Sequence, residues 1–481
     1  MKRVFYFSLS ANPWQRSALL DSAISASQEI ESDIHFLQSY SPERSSMDLP
    51  MASRADYLLA RFQDWRLRES IEKERIKFAT YNLYGDRNVD ELSDSDKKTG
   101  YEETITKTRD SKPCRIHTQD LILHYASCHQ LAYRQALTFL EAKKPDLIYI
   151  FNGRFYREKA VWRAARELGI QIKFIERFAP SWGDRYFEFE GPVHDIHYRC
   201  TVMRDFWESF TTSFGVAEAQ EISDRWFLDR AQGISQSFTI GQSMDFQIGY
   251  GDKKVITFFH SSEDELFTTN LGSTVWTDQI EFLIDLEKAL EKMDDCHLII
   301  RVHPNLKHKS DREIGRWRNF ESKSRKSKVT FIMHDSPIKT YDLLKKSDYV
   351  ITFGSTIGVE ASHFGKPSLL VSRAFHEDLN VVEVIRNINQ LIETVKSGIS
   401  HEKLQEFKEN SAIYGLFQAI GGIKFRNLIR KDAAVQDPIF SYAKVKLGSF
   451  RAISLLRRIE GSLVRFFSSK TTFRCACQID V

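Results

Sequence analysis

Between residues 254 and 371, short runs of Val, Ile, Leu and Phe alternate with helical segments so regularly that few folds can accommodate them. KVITFF (254–259), HLIIRV (297–302), VTFIM (329–333), DYVITF (348–353) and PSLLV (367–371) are continuous apolar runs, not apolar–polar alternations. A strand that is apolar on both sides must be covered on both sides, which is the condition of a parallel sheet between layers of helices. Helical patterns near 276–293, 310–319, 338–346 and 356–364 supply those covers. The expectation is a Rossmann-like domain of class α/β.

A looser version of the pattern fills the first half of the chain. It has a strand at 3–9, a helical pattern near 14–29, an ambiguous apolar stretch around 34–39 and a long helix near 116–143. A strand at 146–151, a helix near 155–168 stopped by Gly169, a strand at 171–176 and a helix from about 217 to 231 follow. Residues 86–113 have almost no periodic apolar face and read as an inserted, mobile loop. Two Rossmann-like domains facing a central cleft are therefore expected, one over 1–250 and one over 251–430. A length of 481 residues suits that division.

Charge and cysteine usage exclude several classes. The six cysteines are scattered with no CxxC pair, which argues against a disulfide scaffold or zinc site. A net charge of +3 is too small for nucleic-acid binding across the surface, and no nucleic-acid partner is expected. The charge is uneven, however: residues 438–470 hold seven Lys or Arg against Glu460 alone. Within 445–467, Val445, Phe450, Ile453, Leu456, Ile459, Leu463 and Phe466 recur at helical spacing, so the segment 431–481 is expected to form a basic amphipathic helix. Through 442–470 it could lie on an anionic inner-membrane surface, or it could pack on the core with a solvated basic face. No window of 18 apolar residues lacks charges and no signal peptide is recognisable, so a cytoplasmic location is expected, peripheral to the membrane at most.

Ligands of parallel α/β sheets bind outside the carboxyl ends of the strands, which directs attention to the residues just after each run. After HLIIRV come His303, Pro304 and Asn305, with Arg301 close by. A proline-fixed histidine there can donate to a phosphate or carboxylate, or it can simply close the strand. After DYVITF come Gly354, Ser355 and Thr356 at a helix start, with Glu360 one turn on. These suit an anion beside the hydroxyls and a ribose on the carboxylate, or an ordinary capped helix. His260, Ser261 and Ser262 follow KVITFF and could hold a further polar part of a donor. In the first half, Asn152 and Arg154 end one strand and Glu176 the next. Both strand ends should face the cleft opposite the second domain, or Arg154 and Glu176 could simply pair with each other as a salt bridge. P-loop, GxGxxG and HExxH patterns are absent, and Asp94-Ser95-Asp96 lies in the polar insertion. Neither a metal nor a separate cofactor is expected.

The series R-V-H-P-N (301–305) and the run S-P-I-K-T-Y-D-L-L-K-K-S-D-Y-V-I-T-F-G-S-T-I-G-V-E-A-S-H-F-G-K-P (336–367) resemble the bacterial capsule polysaccharide synthesis family of GT-B-like glycosyltransferases, which includes transferases of Kdo. The resemblance extends over roughly 145–430, taking in F-N-G-R (151–154) and the segment around Trp276, Asp278 and Gln279. It implies a metal-independent glycosyltransferase that moves a sugar from a nucleotide-sugar donor, a CMP-activated one such as CMP-Kdo, to a glycan or glycolipid acceptor. On that reading 1–250 is the acceptor-side domain and 251–430 the nucleotide-sugar-binding one, Glu176 is the candidate base for the acceptor hydroxyl, and Asn152 and Arg154 position donor or acceptor. It also implies that His303 contacts the nucleotide's phosphate or ribose while Ser355 and Thr356 hold the phosphate. A UDP-sugar-dependent transferase or epimerase, and a noncatalytic polysaccharide-assembly protein, remain alternatives at this stage.

Overall fold

The computed structural model describes residues 1–9, 13–29, 31–39, 62, 65–66, 68–81, 91–108, 110–112, 115–177, 185–233, 242–247, 249–263, 267, 269, 275–276, 278–324, 327–430, 440–442 and 445–447. The first half runs β1 (Lys2–Ser8), α1 (Pro13–Glu29), β2 (Ser32–Gln38), β3 (Ile76–Thr80), α2 (Asp94–Thr108), α3 (Arg115–Lys143), β4 (Leu147–Phe151), α4 (Tyr156–Glu167), β5 (Gln171–Arg177), β6 (Arg185–Phe189), α5 (Ile196–Phe214) and α6 (Val216–Ala231). The second runs β7 (Lys254–Phe259), α7 (Gln279–Leu290), β8 (Cys296–Arg301), α8 (Asp311–Lys323), β9 (Val329–Ile332), α9 (Thr340–Lys346), β10 (Tyr349–Thr352), α10 (Ile357–His363), β11 (Ser368–Leu370), β12 (Glu383–Val384), α11 (Ile388–Ser397) and α12 (His401–Ile420). Four short strands complete the chain: β13 (Ile423–Lys424), β14 (Ile429–Arg430), β15 (Phe440–Tyr442) and β16 (Val445–Leu447).

The second sheet has the order β12-β11-β10-β7-β8-β9, the doubly wound arrangement in which strand order reverses at β7. Its pairs are parallel throughout. Buried Val, Ile, Leu and Phe on both faces, among them Ile256, Phe258, Leu298, Ile300, Val350 and Ile351, explain why their strand runs do not alternate. The first sheet, β13-β6-β5-β4-β1-β2-β3, reverses at β1 and β4 and ends in two antiparallel edge strands. The architecture is thus α/β and GT-B-like, two Rossmann-like sheets facing a cleft.

The chain crosses between the sheets twice. Helices α5 and α6 lead out of the first, and α12 leads back, so that Ile423 and Lys424 pair with Tyr186 and Arg185 of β6. The return is fixed by close contacts. Phe417 stacks on Phe187 with ring centroids 4.5 Å apart. Asp21 of α1, wholly buried, accepts the backbone N–H groups of Arg426, Asn427 and Leu428 at 3.1, 2.7 and 3.0 Å. Three N–H donors on one carboxylate hold the returning chain against the first domain.

Three sequence expectations are corrected. The supposed mobile loop at 86–113 contains helix α2, which packs on α3. Its buried side consists of small residues and paired charges, so hydrophobic periodicity does not reveal it. A side chain at Gly100 would come within 2.3 Å of the Ile122 carbonyl, and Asp96 meets His129 at 2.8 Å and Arg163 at 3.3 Å. Asp96 also exchanges hydrogen bonds with Ser93 across the helix start, so the Asp94-Ser95-Asp96 triplet is a helix cap. Second, a helix that the pattern did not reveal, α5, precedes the one expected from about 217 to 231. Third, the helix expected from Val445 is not formed at its start, because Val445–Leu447 pairs antiparallel with β15. The remainder of that expected helix lies outside the described residues.

The contact of α12 with α6 sets how the connecting helices lie. A Cβ at Gly415 would be 2.1 Å from Ser223 Oγ and 2.6 Å from Phe227. Gly415→Ala gains helix propensity of about 1 kcal/mol but overpacks a contact whose typical cost is about 1–3 kcal/mol. A net loss in urea-unfolding stability is expected, partly recovered by adding Ser223→Gly. An unchanged midpoint in Gly415→Ala would show that the helices separate freely.

Candidate active site

Three adjacent strand ends of the second sheet converge on one pocket: β7 delivers His260, β8 delivers Arg301 and His303, and β10 delivers Ser355 and Thr356. Gly354 makes the turn after β10 with φ of 102°, a conformation natural to glycine. Gly358 then lets α10 approach the sheet, since a Cβ there would lie 3.0 Å from Thr352 Oγ1. Ser355 Oγ accepts the Ile357 N–H at 3.3 Å. Other walls come from outside these strand ends, notably Arg230 of α6, Gln242, and Thr340 and Tyr341 of α9.

The histidines are set by hydrogen bonds. Asn305 N–H donates to His303 Nδ1 at 3.0 Å, so the neutral ring carries its proton on Nε2. His303 N–H in turn donates to His260 Nδ1 at 3.2 Å, and the His260 ring packs 4.3 Å from Trp317. His260 therefore props the backbone of the His-Pro turn. Burial, reinforced by Arg301 and Lys309, holds the His303 imidazole down to about 4. At neutral pH it is an uncharged hydrogen-bond donor.

Arg301 is the most unusual group in the pocket. It is 2% exposed, and one of its terminal nitrogens donates to the Met333 carbonyl at 2.7 Å. Its Nε and Nη2 are buried and make no hydrogen bond. Burial lowers its pKa to about 10, Asp335 acting in the opposite direction, and it remains a cation. A buried guanidinium with two unused donors in a pocket wall is arranged for an oxyanion.

Glu360 is occupied by the protein itself. Its Oε1 accepts from Arg230 Nη2 at 2.7 Å, Arg230 Nε at 3.0 Å and Thr356 Oγ1 at 3.2 Å, while Tyr341 OH donates to Oε2. Burial opposes the charge on Arg230, but Glu360 outweighs it and raises the guanidinium's pKa. A ribose would have to share this carboxylate with these donors. The sequence-predicted residues Arg301, His303, Pro304, Ser355, Thr356 and Glu360 thus line one pocket, with Gly354 supporting it.

Ser261 and Ser262 are not among its lining residues. The Ser261 backbone is tied to the Gln279 side chain at 2.8 and 3.0 Å, which fastens the segment to the start of α7. In the first domain, Asn152 Oδ1 accepts the Arg154 N–H at 2.9 Å across a turn made by Gly153, whose φ is 75°. Glu176, opposite Phe187 in the ladder, acts electrostatically on Arg199 of α5. Sequence reasoning passed over Arg230, Gln242, Thr340, Tyr341, His194 and Arg199. Thr340 and Tyr341 sit inside the 336–367 run with no role read for them, whereas the others lie in no motif and are carried to the cleft by elements far away in the chain.

Residues 269–379 match the family described as capsule polysaccharide biosynthesis protein. That segment carries Arg301, His303, Ser355, Thr356 and Glu360, so the resemblance read from the motifs holds where the pocket is built. A comparison with curated proteins finds no match. Among solved structures, the chain is similar to Thermosulfurimonas dismutans KpsC, beta Kdo 2,4 transferase, at 14% identity and TM-score 0.38, over 65% of this chain and 87% of that one. It is similar to S. aureus MnaA in complex with UDP at 14% identity and TM-score 0.32, over 87% and 94%. It is also similar to UDP-GlcNAc 2-epimerase from Neisseria meningitidis bound to UDP-GlcNAc, at 12% identity and TM-score 0.29, over 88% and 96%. These likenesses are loose, and the reading below rests on the pocket and the family match.

Burial holds His303, His363 and His376 down to about 4, against an ordinary value near 6.5. The folded state refuses protons that the unfolded chain accepts between pH 6.5 and 4, so stability is full above 6.5 and falls as pH drops through this window. Each group contributes on the order of 3 kcal/mol when its shift is fully expressed. Urea midpoints taken from pH 7.5 to 4.5 are expected to decline steeply. A flat profile would mean that these rings are solvated.

Proposed function

We propose that this protein is a glycosyltransferase of bacterial surface polysaccharide synthesis, capsule or lipopolysaccharide, using a CMP-activated donor such as CMP-Kdo and a glycan or glycolipid acceptor. The observation that carries the reading is Arg301, whose Nε and Nη2 are buried without partners in the pocket that His303, Ser355 and Thr356 also line. The family match over 269–379 supplies the polysaccharide context.

In this reading the donor's phosphate lies against Arg301, with the His303 Nε2–H and the hydroxyls of Ser355 and Thr356 completing its shell. These donors stand in place before reaction, so negative charge growing on the leaving nucleotide meets fixed N–H and O–H groups. Such stabilisation does the work that a divalent metal does in other transferases, and we propose transfer without one. Glu176 is the proposed base for the acceptor hydroxyl, with Asn152 holding the Arg154 turn beside it. The neutral state of His303 suits hydrogen-bond donation to the phosphate and leaves the positive charge to Arg301.

Isothermal titration with CMP, CDP and UDP tests the donor assignment. CMP is expected to bind most tightly, and His303→Ala and Arg301→Gln should each weaken it by about 1–3 kcal/mol, as for a lost charge-assisted hydrogen bond. Sugar transfer should survive chelator. UDP preference, unchanged affinity in both variants, or activity restored only by magnesium or manganese would each count against the corresponding part of the reading.

The basic segment is proposed to meet the inner membrane surface, with Arg451, Arg457, Arg458 and Arg465 contributing on the order of 1 kcal/mol each beside anionic lipid. Among the described residues no helix is long and apolar enough to cross a membrane. A chain truncated after Leu447 keeps the small sheet β14-β15-β16 and should retain CMP binding while losing sedimentation with phosphatidylglycerol vesicles. Equal sedimentation of both chains would remove the membrane role.

A further inference from the structure

The first domain carries its own set of unused donors, apart from the Arg301 pocket. Arg154 follows the end of β4, His194 lies in the loop between β6 and α5, and Arg199 is in the first turn of α5. Arg154 Nε, both ring nitrogens of His194 and Arg199 Nε are shielded from solvent and make no hydrogen bond. The three groups are close enough for the charges of Arg199 and Arg154, and of Lys159 beyond them, to act on His194. Burial first, and these cations second, hold its imidazole down to about 3, so it is neutral.

The second domain closes over this cluster. The Arg199 guanidinium sits 4.2 Å from the centre of the Phe375 ring, and the His194 ring lies 6.1 Å from it. Cys200 Sγ donates to the Phe375 carbonyl at 3.3 Å, which locks α5 to the loop after β11. The cluster therefore occupies the seam between the two domains.

Charge balance points to what is missing. Arg199 feels Glu176, Tyr414 and Cys200, but burial pushes the Tyr414 phenol and the Cys200 thiol up to about 12 and 11, leaving both uncharged. Lys159 donates to Glu102. Among the described residues Glu176 is the carboxylate that acts on Arg199, and the Nε donors of Arg154 and Arg199 remain unmade. Guanidinium groups whose Nε donors are shielded from water and unmade suit an anion, and their flat forks match the oxygens of a carboxylate or phosphate. A neutral sugar offers only hydroxyls and leaves the charge uncompensated.

We propose that Arg154, His194 and Arg199 form a subsite for an acidic group, carboxylate or phosphate, on the acceptor glycan. This rests on the glycosyltransferase reading and names the acceptor's chemical class. The donor's phosphate is assigned to Arg301 on the opposite domain, whereas this cluster neighbours Glu176, where the attacking hydroxyl must come. Holding the acceptor by its acidic group sets that hydroxyl relative to the base.

The test uses ligand-observed NMR on the full chain with three probes, methyl glucuronide, glucose 6-phosphate and methyl glucoside. At least one acidic probe is expected to bind tenfold or more tightly than the glucoside, and which one binds identifies the group as carboxylate or phosphate. Arg199→Met, which keeps the stem beside Phe375, and Arg154→Gln should each remove that preference and leave CMP affinity unchanged. His303→Ala should do the reverse. Equal binding of acidic and neutral probes, binding of none, or a preference that survives Arg199→Met would overturn the proposal. Thermal melting supplies a second readout: Arg199→Met should melt at or above the wild-type temperature, because it removes a half-buried cation whose desolvation outweighs the help it has from Glu176. A lower melting temperature with the acid preference intact would make Arg199 structural. The binding assay needs no turnover, so failure of wild-type CMP binding sinks the nucleotide reading and leaves the acid preference to be judged separately.

Discussion

The buried ion pair between Arg230 and Glu360 is the constraint on which the candidate site depends. Glu360 is 1% exposed, and its oxygens are shared by Arg230, Thr356 and Tyr341. Arg230 also lies over the Trp226 ring, with its guanidinium 4.7 Å from the ring centre. One carboxylate therefore ties α6, which links the two sheets, to α9 and α10 around the pocket. Removing two charges from water is costly, and pairs of this kind often add little net stability relative to an apolar contact. Their effect is geometric: only one placement of α6 satisfies both partners. The helix that carries the chain between domains is consequently registered against the strand ends that form the pocket.

Packing around that pair works to the same end. His363 stacks on Phe227 at 3.9 Å, and Gly415 admits Ser223 against α12. Asp21 then fastens the returning chain to α1. The two sheets are held together by elements that belong wholly to neither, and the cleft between them gathers groups from both. This explains how a cluster such as Arg154, His194 and Arg199 can be capped by Phe375 from the other domain.

Electrostatics in the cleft follows one pattern. Burial keeps the histidines neutral, and the arginines stay charged in spite of it but incompletely bonded. A folded protein seldom leaves buried donors unmade, since each costs roughly 1–3 kcal/mol and more when charged. Arg301 at the end of β8 and Arg154 just after β4 stand where parallel α/β sheets bind ligands, which links a local energetic defect to a binding role.

Much of this was legible before any coordinates. Continuous apolar runs such as KVITFF and HLIIRV determine a parallel sheet, because only burial on both faces satisfies them. The motifs R-V-H-P-N and G-S-T determine that a histidine and two hydroxyls stand at strand ends, since each directly follows a strand. Helix α2 was illegible because its buried face is built from Gly100, Thr104 and charged side chains held by partners elsewhere. The role of Glu360 was only half legible: the sequence determined its position one turn past Thr356, but Arg230, 130 residues away, took the carboxylate. Arg301 likewise read as a neighbour of the histidine, whereas its unmade hydrogen bonds exist only once β8 and β9 enclose it. Sequence determines periodicity and local spacing through backbone geometry. Which charges meet, and which are left without a partner, is decided by tertiary packing, because burial and long-range proximity arise only when distant segments close on one another.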